Sequence, residues 1–344
     1  MKTRRPYLFA VLMSVVAGVW LSGVSSSASA AEVKVIKISH QFPGGTIDKG
    51  DFRDRLVRKF AQEVEKRTNG QLKFEIYPGG SLVKAMQQLD ALSTGALDMT
   101  LYPLAYSGGK IPEVNITLMP ALITSYEEAS HWKNAPIGKE LSRILDEHNV
   151  KIVTWIWQAG GVASRDRPII EPADTKGLKV RGAGKSMDQL LEAAGGSIAN
   201  VPSDETYSAM QSGVLDGVWT SSASLISFRL YELAKDVTTA RDHTFWYMFE
   251  PLLMSKATYN SLTPAQQKIV MEVGASLEPF AVQSCKEDDQ ALAEVYGKAG
   301  AKVHDMNEKT FLMWRDLAKK SAWKNFEDNV KNGKKLMEMA EAVR

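Results

Sequence analysis

The sequence predicts an α/β fold in which strands of a mainly parallel sheet are covered by helices. Residues 33–39 (VKVIKIS) and 71–77 (QLKFEIY) alternate apolar and polar side chains, as strands do. Between them, apolar residues recur every four positions from Phe52 to Val64, so residues 51–67 read as an amphipathic helix. A strand, a helix and a strand in succession favour a parallel sheet.

Similar patterns continue along the chain. Residues 150–157 (VKIVTWIW) and 214–220 (VLDGVWT) are β-rich runs, and each is expected to form one strand. Capping boxes open helices at Ser125 and at Thr263, and the second helix is expected to run close to Gly297 with a local interruption at Pro279. The other predicted elements are a helix over 83–92, strands over 98–101 and 178–181, a helix capped by Ser186, a helix from Ser203 through Met210, and a helical stretch over 308–344.

The first thirty residues predict a secretory signal peptide. Three cations within the first five residues precede a largely apolar stretch, residues 7–21, and the small residues 28–30 (ASA) that a signal peptidase requires. The mature chain is expected to begin at Ala31 and to reside in the periplasm. An uncleaved membrane anchor is the alternative, which the shortness of the apolar stretch disfavours.

Composition argues against several classes of partner and chemistry. Loss of the three N-terminal cations changes the formal net charge from +2 to −1 and leaves no Lys/Arg-rich run, which argues against nucleic acid and anionic membranes as partners. Cys285 is the single cysteine, and the five histidines lack metal-ligand spacing. The motifs of P-loops, nucleophile elbows and dinucleotide sites are missing. We therefore predict no cofactor, no metal site and no catalytic residue.

Candidate ligand-binding residues lie where predicted strands end. In open α/β sheets the ligand crevice lies beyond the carboxyl ends of the strands. Each candidate also has a structural alternative, because tryptophans can belong to the core, a histidine can satisfy a loop carbonyl, and hydroxyls can cap a helix. Besides Arg181, the candidates are His40, Phe42, Tyr102, Trp155, Trp157, Gln158, Trp219, Thr220 and Ser221.

Arg181 is the strongest candidate. It ends a β-like run, precedes the glycine turn at residues 182–184, and has no acidic residue within six positions on either side. A guanidinium binds a carboxylate through two parallel hydrogen bonds and stays charged at any relevant pH. Because burying it unpaired is unfavourable, we expect Arg181 to meet either an anionic ligand or a carboxylate from a distant segment.

Six segments, taken in order, resemble the substrate-binding proteins of tripartite ATP-independent periplasmic (TRAP) transporters of the DctP type. They cover nearly the whole mature chain, and the last four are specific in combination. The segments are VIKISHQFP, FAQEVEKRTNGQLKFEIYPGGSL, LSTGALDMT, GLKVRGAG, VPSDETYSAMQSGVLDG and YELAKDVT.

This resemblance implies a periplasmic binding protein fold whose two α/β lobes close around a small organic acid. Arg181 occupies the position of the arginine that holds the ligand carboxylate in that family, and the helix opened by Thr263 becomes a scaffold helix spanning both lobes. The partners implied are the carboxylate ligand and the small and large integral-membrane subunits of the transporter; the chain is expected to be a monomer and not an enzyme. The implied lobes are discontinuous: lobe I comprises residues 32–158 and 247–286, and lobe II comprises residues 159–246 and 287–344.

Two departures from the family pattern bear on the ligand. Many members carry a further arginine where this chain has Gly161, and many carry an asparagine where it has residues 218–220 (VWT). With Arg181 as the sole cationic anchor beside tryptophans and hydroxyls, the sequence predicts a monocarboxylate with an apolar, aromatic or hydroxylated body. An aliphatic hydroxy or keto acid is an alternative ligand.

Two other functions stay open from sequence. The same cleft would serve a binding module that feeds a sensor, which only a partner can distinguish from a transport receptor. An exported lyase or isomerase acting on small acids would need a titratable residue beside the carboxylate site, and the strand-end candidates include no Asp or Glu.

Overall fold

The computed structural model describes residues 1–3 and 33–343, so the predicted signal peptide lies, from residue 4 onward, outside the described residues. Over residues 33–343 two β-sheets are flanked by helices, which confirms the predicted two-lobe α/β fold. No helix in the described ranges combines the length and the apolar composition needed to cross a membrane.

The described chain contains twelve strands. They are β1 (Lys34–Ser39), β2 (Leu72–Tyr77), β3 (Met99–Leu101), β4 (Val150–Thr154), β5 (Trp157–Ser164), β6 (Lys179–Arg181), β7 (Ser197–Ile198), β8 (Gly217–Ser221), β9 (Asp236–Thr238), β10 (Tyr247–Phe249), β11 (Leu252–Ser255) and β12 (Lys302–His304).

Thirteen α-helices accompany these strands in the described residues. They are α1 (Phe52–Arg67), α2 (Gln88–Ser93), α3 (Tyr126–His131), α4 (Pro136–Glu147), α5 (Lys185–Ala193), α6 (Thr206–Gln211), α7 (Ser222–Ser227), α8 (Lys256–Asn260), α9 (Pro264–Ser276), α10 (Glu278–Lys298), α11 (Glu308–Ala318), α12 (Lys324–Asn329) and α13 (Gly333–Glu341).

The first sheet has five strands in the order β2-β1-β3-β11-β4. As the strand–helix–strand pattern predicts, β1 runs parallel to β2, and it also runs parallel to β3; β11 is antiparallel to both of its neighbours. The apolar face of α1 packs on this sheet, with Phe52, Leu56 and Phe60 fully buried. Burial of three such side chains contributes about 5–9 kcal/mol toward holding the helix in place.

The second sheet has seven strands, in the order β12-β9-β5-β8-β6-β7 with β10 paired to β5. Strand β6 runs parallel to β7 and β8, whereas β5 is antiparallel to β8, β9 and β10. Arg181 is the last residue of β6, and it pairs with Val218 of the neighbouring interior strand β8.

The chain crosses between the sheets three times, and helices α8 to α10 make the third crossing, from β11 to β12. The β-rich run at residues 150–157, expected to form one strand, divides into β4 of the first sheet and β5 of the second, with Trp155 and Ile156 between them. The return crossing is made by Glu250 and Pro251, between β10 and β11. The backbone N–H of Glu250 donates to the carbonyl of Ile156 at 2.8 Å, so the two crossover segments, residues 155–156 and 250–251, are tied together.

The scaffold helix is interrupted where the sequence indicates. Thr263 and Gln266 form the predicted capping box: the Thr263 hydroxyl accepts from the Gln266 N–H, and the Gln266 side chain accepts from the Thr263 N–H. The helix ends at Ser276 and resumes at Glu278, before Pro279. Helix α10 then packs against α1 of the first lobe and against α7 of the second, so it spans both lobes.

Ser186 does not cap a helix as predicted. Helix α5 begins one residue earlier, at Lys185, with Gly184 in the capping position. The Ser186 hydroxyl instead donates to the Asn115 carbonyl at 3.3 Å. The local serine–glutamine pattern was therefore misleading, because a contact with a distant segment takes the hydroxyl that a cap would use.

Candidate functional site

Arg181 is buried, with 1% of its surface exposed, and its guanidinium is fixed by four hydrogen bonds. Nε donates to the carbonyl of Val201 at 3.0 Å, and Nη1 donates to the carbonyl of Trp219 at 3.0 Å. Nη2 donates to the hydroxyl of Tyr106 at 2.7 Å and to the hydroxyl of Ser203 at 3.1 Å. The side chain is therefore held rigidly by neutral acceptors.

The charge of Arg181 lacks a bonded counter-ion. Among the described residues, no carboxylate lies within ion-pair distance of its guanidinium. Burial raises the pKa of three carboxyl groups, those of Asp188, Asp204 and Glu250, although each is near enough for the charge of Arg181 to act to lower its pKa. A buried cation with neutral partners favours an anion in its surroundings.

Tyr106 joins Arg181 to the first lobe. It lies on a short 3-10 helix that follows β3, and its hydroxyl also contacts Gln41 Nε2 at 3.4 Å and the Ser203 N–H at 3.0 Å. A cavity of about 230 Å³ opens beside Tyr106 between segments of both lobes. It is lined by Met86, Ala105, Tyr106, Gly109, Ala183, Gly184, Lys185, Asp188 and Asn200.

Three predicted residues mark the end of β8, but they face different neighbours. The ring of Trp219 packs against Phe245 and Trp314, so its backbone carbonyl, and not its ring, meets Arg181. Thr220 is buried and pairs with Gly161 on β5. Ser221 is also buried, and its hydroxyl lies 3.4 Å from Nη1 of Arg53.

Arg53 is a second buried arginine that the sequence reasoning missed. It lies in the first turn of α1, where neighbouring Asp51 and Asp54 suggest an exposed charged face. Its guanidinium carbon instead lies 3.7 Å from the ring centroid of the predicted residue Phe42, and the side chain is fully buried. Nothing local in the sequence indicates this burial, because the serines of α7 and its N-cap and Glu250, which complete the surroundings of Arg53, come from distant segments.

Glu250, on the second crossover segment, is a further buried group absent from the predicted set. Burial raises its pKa to about 7, although the nearby guanidinium of Arg53 acts to lower it and the field of Arg181 lowers it further. Its Oε2 lies 3.4 Å from Arg53 Nη1. Glu250 therefore interacts electrostatically with both Arg53 and Arg181 from the crossover segment between the two sheets.

His40 lies beside Phe42, with ring centroids 5.8 Å apart. Its Nε2 contacts Asp54 Oδ1 at 3.2 Å, which orients the ring, whereas its buried Nδ1 has no hydrogen-bond partner. The buried Oε1 of the adjacent Gln41 also lacks a partner. Buried polar atoms are rarely left unpaired, so these two atoms point to a ligand or water.

Gln158 carries the clearest such indication. The residue is 1% exposed, and neither its amide oxygen nor its amide nitrogen has a partner. Gln158 lies two residues from Gly160, which pairs with Ser221 on β8, and Trp219 is two residues farther along that strand. Because successive residues advance about 3.4 Å along a strand, the Gln158 backbone lies four residues, or roughly 14 Å, along the sheet from the residue paired with Trp219.

The other predicted aromatic residues belong to packed clusters. Trp155 and Trp157 both contact Phe249, with ring centroids 4.7 and 5.0 Å away, and Trp157 also contacts Trp132. The two tryptophans line a small cavity of about 50 Å³ together with Tyr126, Lys133 and Glu278, among others. The cavity beside Tyr106 does not include them.

Tyr102 lies behind Tyr106. Their rings pack edge to face with centroids 5.9 Å apart, and the Tyr102 hydroxyl bonds to the Ser107 hydroxyl at 2.9 Å. Burial raises the pKa of Tyr102 above its ordinary range. Its contacts therefore position Tyr106, which touches Arg181 directly.

A wider cavity of about 410 Å³ lies elsewhere, bordered by Tyr126, Tyr247 and Asp289 among others. Asp289 already accepts hydrogen bonds from Tyr126 and Ser222, both at 2.6 Å. This cavity contains none of the predicted ligand-binding residues, and its buried carboxylate is paired. In the described part of the chain, no cluster of His, Cys, Asp and Glu could hold a metal ion.

Gly161 has a steric reason to be glycine. A Cβ atom at this position would lie 2.1 Å from the carbonyl oxygen of Thr238 on the neighbouring strand. An arginine at this position cannot fit without a backbone shift, whereas Arg53 brings a second guanidinium to the end of β8.

Comparison with known proteins identifies the family. Residues 48–329 match bacterial extracellular solute-binding protein, family 7 (DctP). The chain is 51% identical to a solute-binding protein of Albidiferax ferrireducens over 96% of this chain and 98% of the relative. It is 27% identical to the C4-dicarboxylate-binding periplasmic protein DctP of Rhodobacter capsulatus, with 92% of each chain covered.

A solved structure agrees. A TRAP periplasmic solute-binding protein from Rhodoferax ferrireducens, crystallised with bound malonate, superposes with a TM-score of 0.89 at 53% identity and covers 90% of this chain and 98% of its own. These matches confirm the resemblance drawn from the six sequence segments and the prediction of a receptor, not an enzyme. The chain therefore belongs to bacterial extracellular solute-binding protein family 7, the DctP family of TRAP solute receptors.

Proposed function

We propose that this receptor binds a small organic acid between its lobes, with Arg181 holding the carboxylate, and delivers the acid to the integral-membrane subunits of a TRAP transporter. The observation that carries the proposal is the buried, rigidly held guanidinium of Arg181, whose four bonded acceptors are all neutral. An acid would supply the missing negative charge.

The hydrogen bonds of Arg181 to protein leave one N–H donor free for a carboxylate. A guanidinium has five N–H donors, and the four hydrogen bonds to protein occupy four of them. The free donor is on Nη1, and the hydroxyls of Tyr106 and Ser203 that share Nη2 can rotate to donate to an anion. Because Tyr106 belongs to one lobe and Arg181 to the other, an acid bound here favours lobe closure.

The relatives support an acid as ligand. The 53% identical TRAP protein was crystallised with malonate, and the Rhodobacter capsulatus relative is named for binding C4-dicarboxylates. Malonate is short and carries two carboxylates. A short dicarboxylate is therefore the second candidate beside the monocarboxylate that the sequence predicts.

Among monocarboxylates, we favour one with a hydroxyl or carbonyl on its body. The unpaired amide of Gln158 can donate to and accept from such a group, and His40 Nδ1 and Gln41 Oε1 are also unpaired. An apolar or aromatic body receives less support, because the rings of Trp155 and Trp157 already pack on Phe249.

The lobes and the location belong to the same proposal. Lobe I comprises residues 32–158 and 247–286, and lobe II comprises residues 159–246 and 287–344; we place the bending points at the crossover segments, residues 155–156 and 250–251. The chain would act in the periplasm as a monomer after removal of the signal peptide.

Calorimetric titration of the mature chain tests the function. The panel contains malonate, succinate, a uronate, and matched monocarboxylates with apolar, aromatic and hydroxylated bodies. We expect at least one acid to bind, and we expect Arg181→Ala to weaken its binding by about 2–4 kcal/mol, or about 30- to 1,000-fold.

Arg143→Ala, which changes an exposed arginine of α4, is the matched control and should bind as the parent chain does. Circular dichroism verifies that the Arg181 variant is folded. An affinity within twofold of the parent in the folded Arg181 variant contradicts the proposal. A sensor-feeding module binds the same acid, and is recognised if the liganded chain captures a sensor protein and not TRAP membrane subunits.

A further inference from the structure

Arg53 is anchored first within its own lobe. Its Nε and Nη2 donate to the two carboxylate oxygens of Asp51 at 2.8 and 2.6 Å, a bidentate pair. The guanidinium also lies on the ring of Phe42. Phe42 and Asp51 come from the segment that joins β1 to α1, and Arg53 lies in the first turn of α1, so these contacts need no particular arrangement of the lobes.

The same guanidinium then reaches into the other lobe. Nη1 donates to the hydroxyl of Ser224 at 2.9 Å and lies 3.4 Å from the Ser221 hydroxyl, while Nη2 lies 3.4 Å from the Ser227 hydroxyl. These serines belong to α7 and its N-cap, which follow β8 of the second sheet. Nη1 also lies 3.4 Å from Glu250 on the crossover segment.

We propose that Arg53 is an interlobe latch: a positioning residue that stabilises the closed receptor by bonding to the serines of α7. The inference rests on the proposed two-lobe capture mechanism. Contacts with Asp51 and Phe42 persist when the lobes separate, whereas contacts with Ser224 and Ser227 exist only while α7 lies against α1. The serine hydroxyls are thus the part of the cluster that closure makes and opening breaks.

The N–H donors of Arg53 are all used by protein acceptors, which distinguishes a latch from a residue that binds the ligand. The five N–H groups of Arg53 face Asp51, the three serine hydroxyls and Glu250, so each nitrogen already has a protein acceptor. Arg181, in contrast, retains a free donor. An acid would have to displace a protein acceptor to reach Arg53, which assigns carboxylate binding to Arg181 and lobe attachment to Arg53.

A latch has a recognisable effect on binding. The apparent dissociation constant equals the intrinsic dissociation constant divided by the fraction of ligand-free receptor that is in the closed, binding-competent state. Weakening the latch lowers that fraction before any ligand contact is made. Every ligand should therefore lose affinity by the same factor, whereas the loss of a ligand contact changes the order in which ligands are preferred.

The test uses the double variant Ser224→Ala/Ser227→Ala, which leaves Arg53 paired with Asp51 and Glu250 and so avoids an unpaired buried charge. The matched control is Ser208→Ala/Ser212→Ala in the same lobe, because those hydroxyls bond only to backbone carbonyls of their own segment. Spin labels at Gln62→Cys on α1 and at Gln211→Cys on α6, both exposed, report the distance between the lobes.

We expect longer ligand-free interlobe distances in the Ser224/Ser227 variant than in the control. We also expect the dissociation constants for malonate and for a second acid bound by the parent chain to rise by one common factor of about ten. Unchanged distances together with unchanged affinities overturn the latch. A loss confined to one acid overturns it as well, because it would make the serines part of a ligand subsite.

The outcome for the latch is separable from that for the proposed function. If the parent chain binds none of the acids, the proposed function fails at that step. The ligand-free distances then decide the latch alone: a shift to longer distances supports it, and an unchanged distribution rejects it.

Discussion

Replacing Glu250 by glutamine tests the electrostatics of the buried cluster between the lobes. The carboxyl lies 3.4 Å from Arg53 Nη1 on the second crossover segment and is 3% exposed. Burial raises its pKa from the ordinary 4.5 to about 7, despite the opposing effect of Arg53. Glutamine keeps the size and the oxygen acceptor but removes the titration.

The sign and size of the effect follow from the two pKa values. Below about pH 4.5 the Glu250 carboxyl is protonated in both the folded and the unfolded chain. The stability that comes from its raised pKa is therefore fully present there. Between about pH 4.5 and 7 the unfolded chain loses the proton while the folded chain keeps it, so the free energy of unfolding falls as pH rises. At about 1.4 kcal/mol for each pKa unit, the total loss is about 3 kcal/mol.

Urea unfolding of the parent chain and of Glu250→Gln gives the difference between their free energies of unfolding at each pH. From about pH 5 to about pH 8.5 this difference should change by about 2.5 kcal/mol, because part of the loss has already occurred at pH 5. Asp288, whose pKa burial raises to about 7, titrates in both chains and cancels from that difference to first order. Glu63→Gln, an exposed carboxylate on α1, is the control. A difference between parent and Glu250→Gln that stays constant within about 0.5 kcal/mol over this range refutes the reasoning.

Three further substitutions have defined outcomes. Tyr106→Phe removes a hydroxyl bonded to Arg181 Nη2 and should weaken acid binding by about 1–2 kcal/mol in calorimetry; an unchanged affinity would exclude Tyr106 from orienting the arginine. Gly161→Ala places a Cβ atom 2.1 Å from the Thr238 carbonyl and should lower the free energy of unfolding by about 2 kcal/mol or more, which parent-like stability in urea would contradict. Thr263→Ala removes the N-cap of α9 and should lower it by about 1 kcal/mol, whereas no change in the urea midpoint would mean that the cap is not needed.

Local patterns in the sequence predict the elements that local chemistry determines. The alternation in residues 33–39 and the four-residue spacing from Phe52 lead to β1 and α1 within a residue or two. Thr263 and Pro264 likewise predict the start of α9, because the cap, the proline and the glutamine lie within four residues.

Features that depend on distant segments escape such patterns. Residues 150–157 look like one strand because the sequence carries no sign of the change from one sheet to the other at Trp155. Arg53 looks exposed because Asp51 is two residues away, whereas its acceptor Ser224 is 171 residues away in sequence. Arg181 could be recognised as a candidate from the lack of local acids, but the neutral acceptors that hold it come from three separate segments.

The place of β11 in the first sheet has a consequence for folding. This strand lies between β3 and β4, so the edge strand β4 is joined to the other strands of the five-stranded sheet only by residues 252–255. The pairing of Leu253 with Thr100 closes a loop that contains the whole of β5 to β10. Such long-range contacts slow folding and raise contact order. The five-stranded sheet therefore cannot be completed before residues 252–255 are available, and an N-terminal fragment ending before residue 252 is expected to remain exposed to proteases and aggregation.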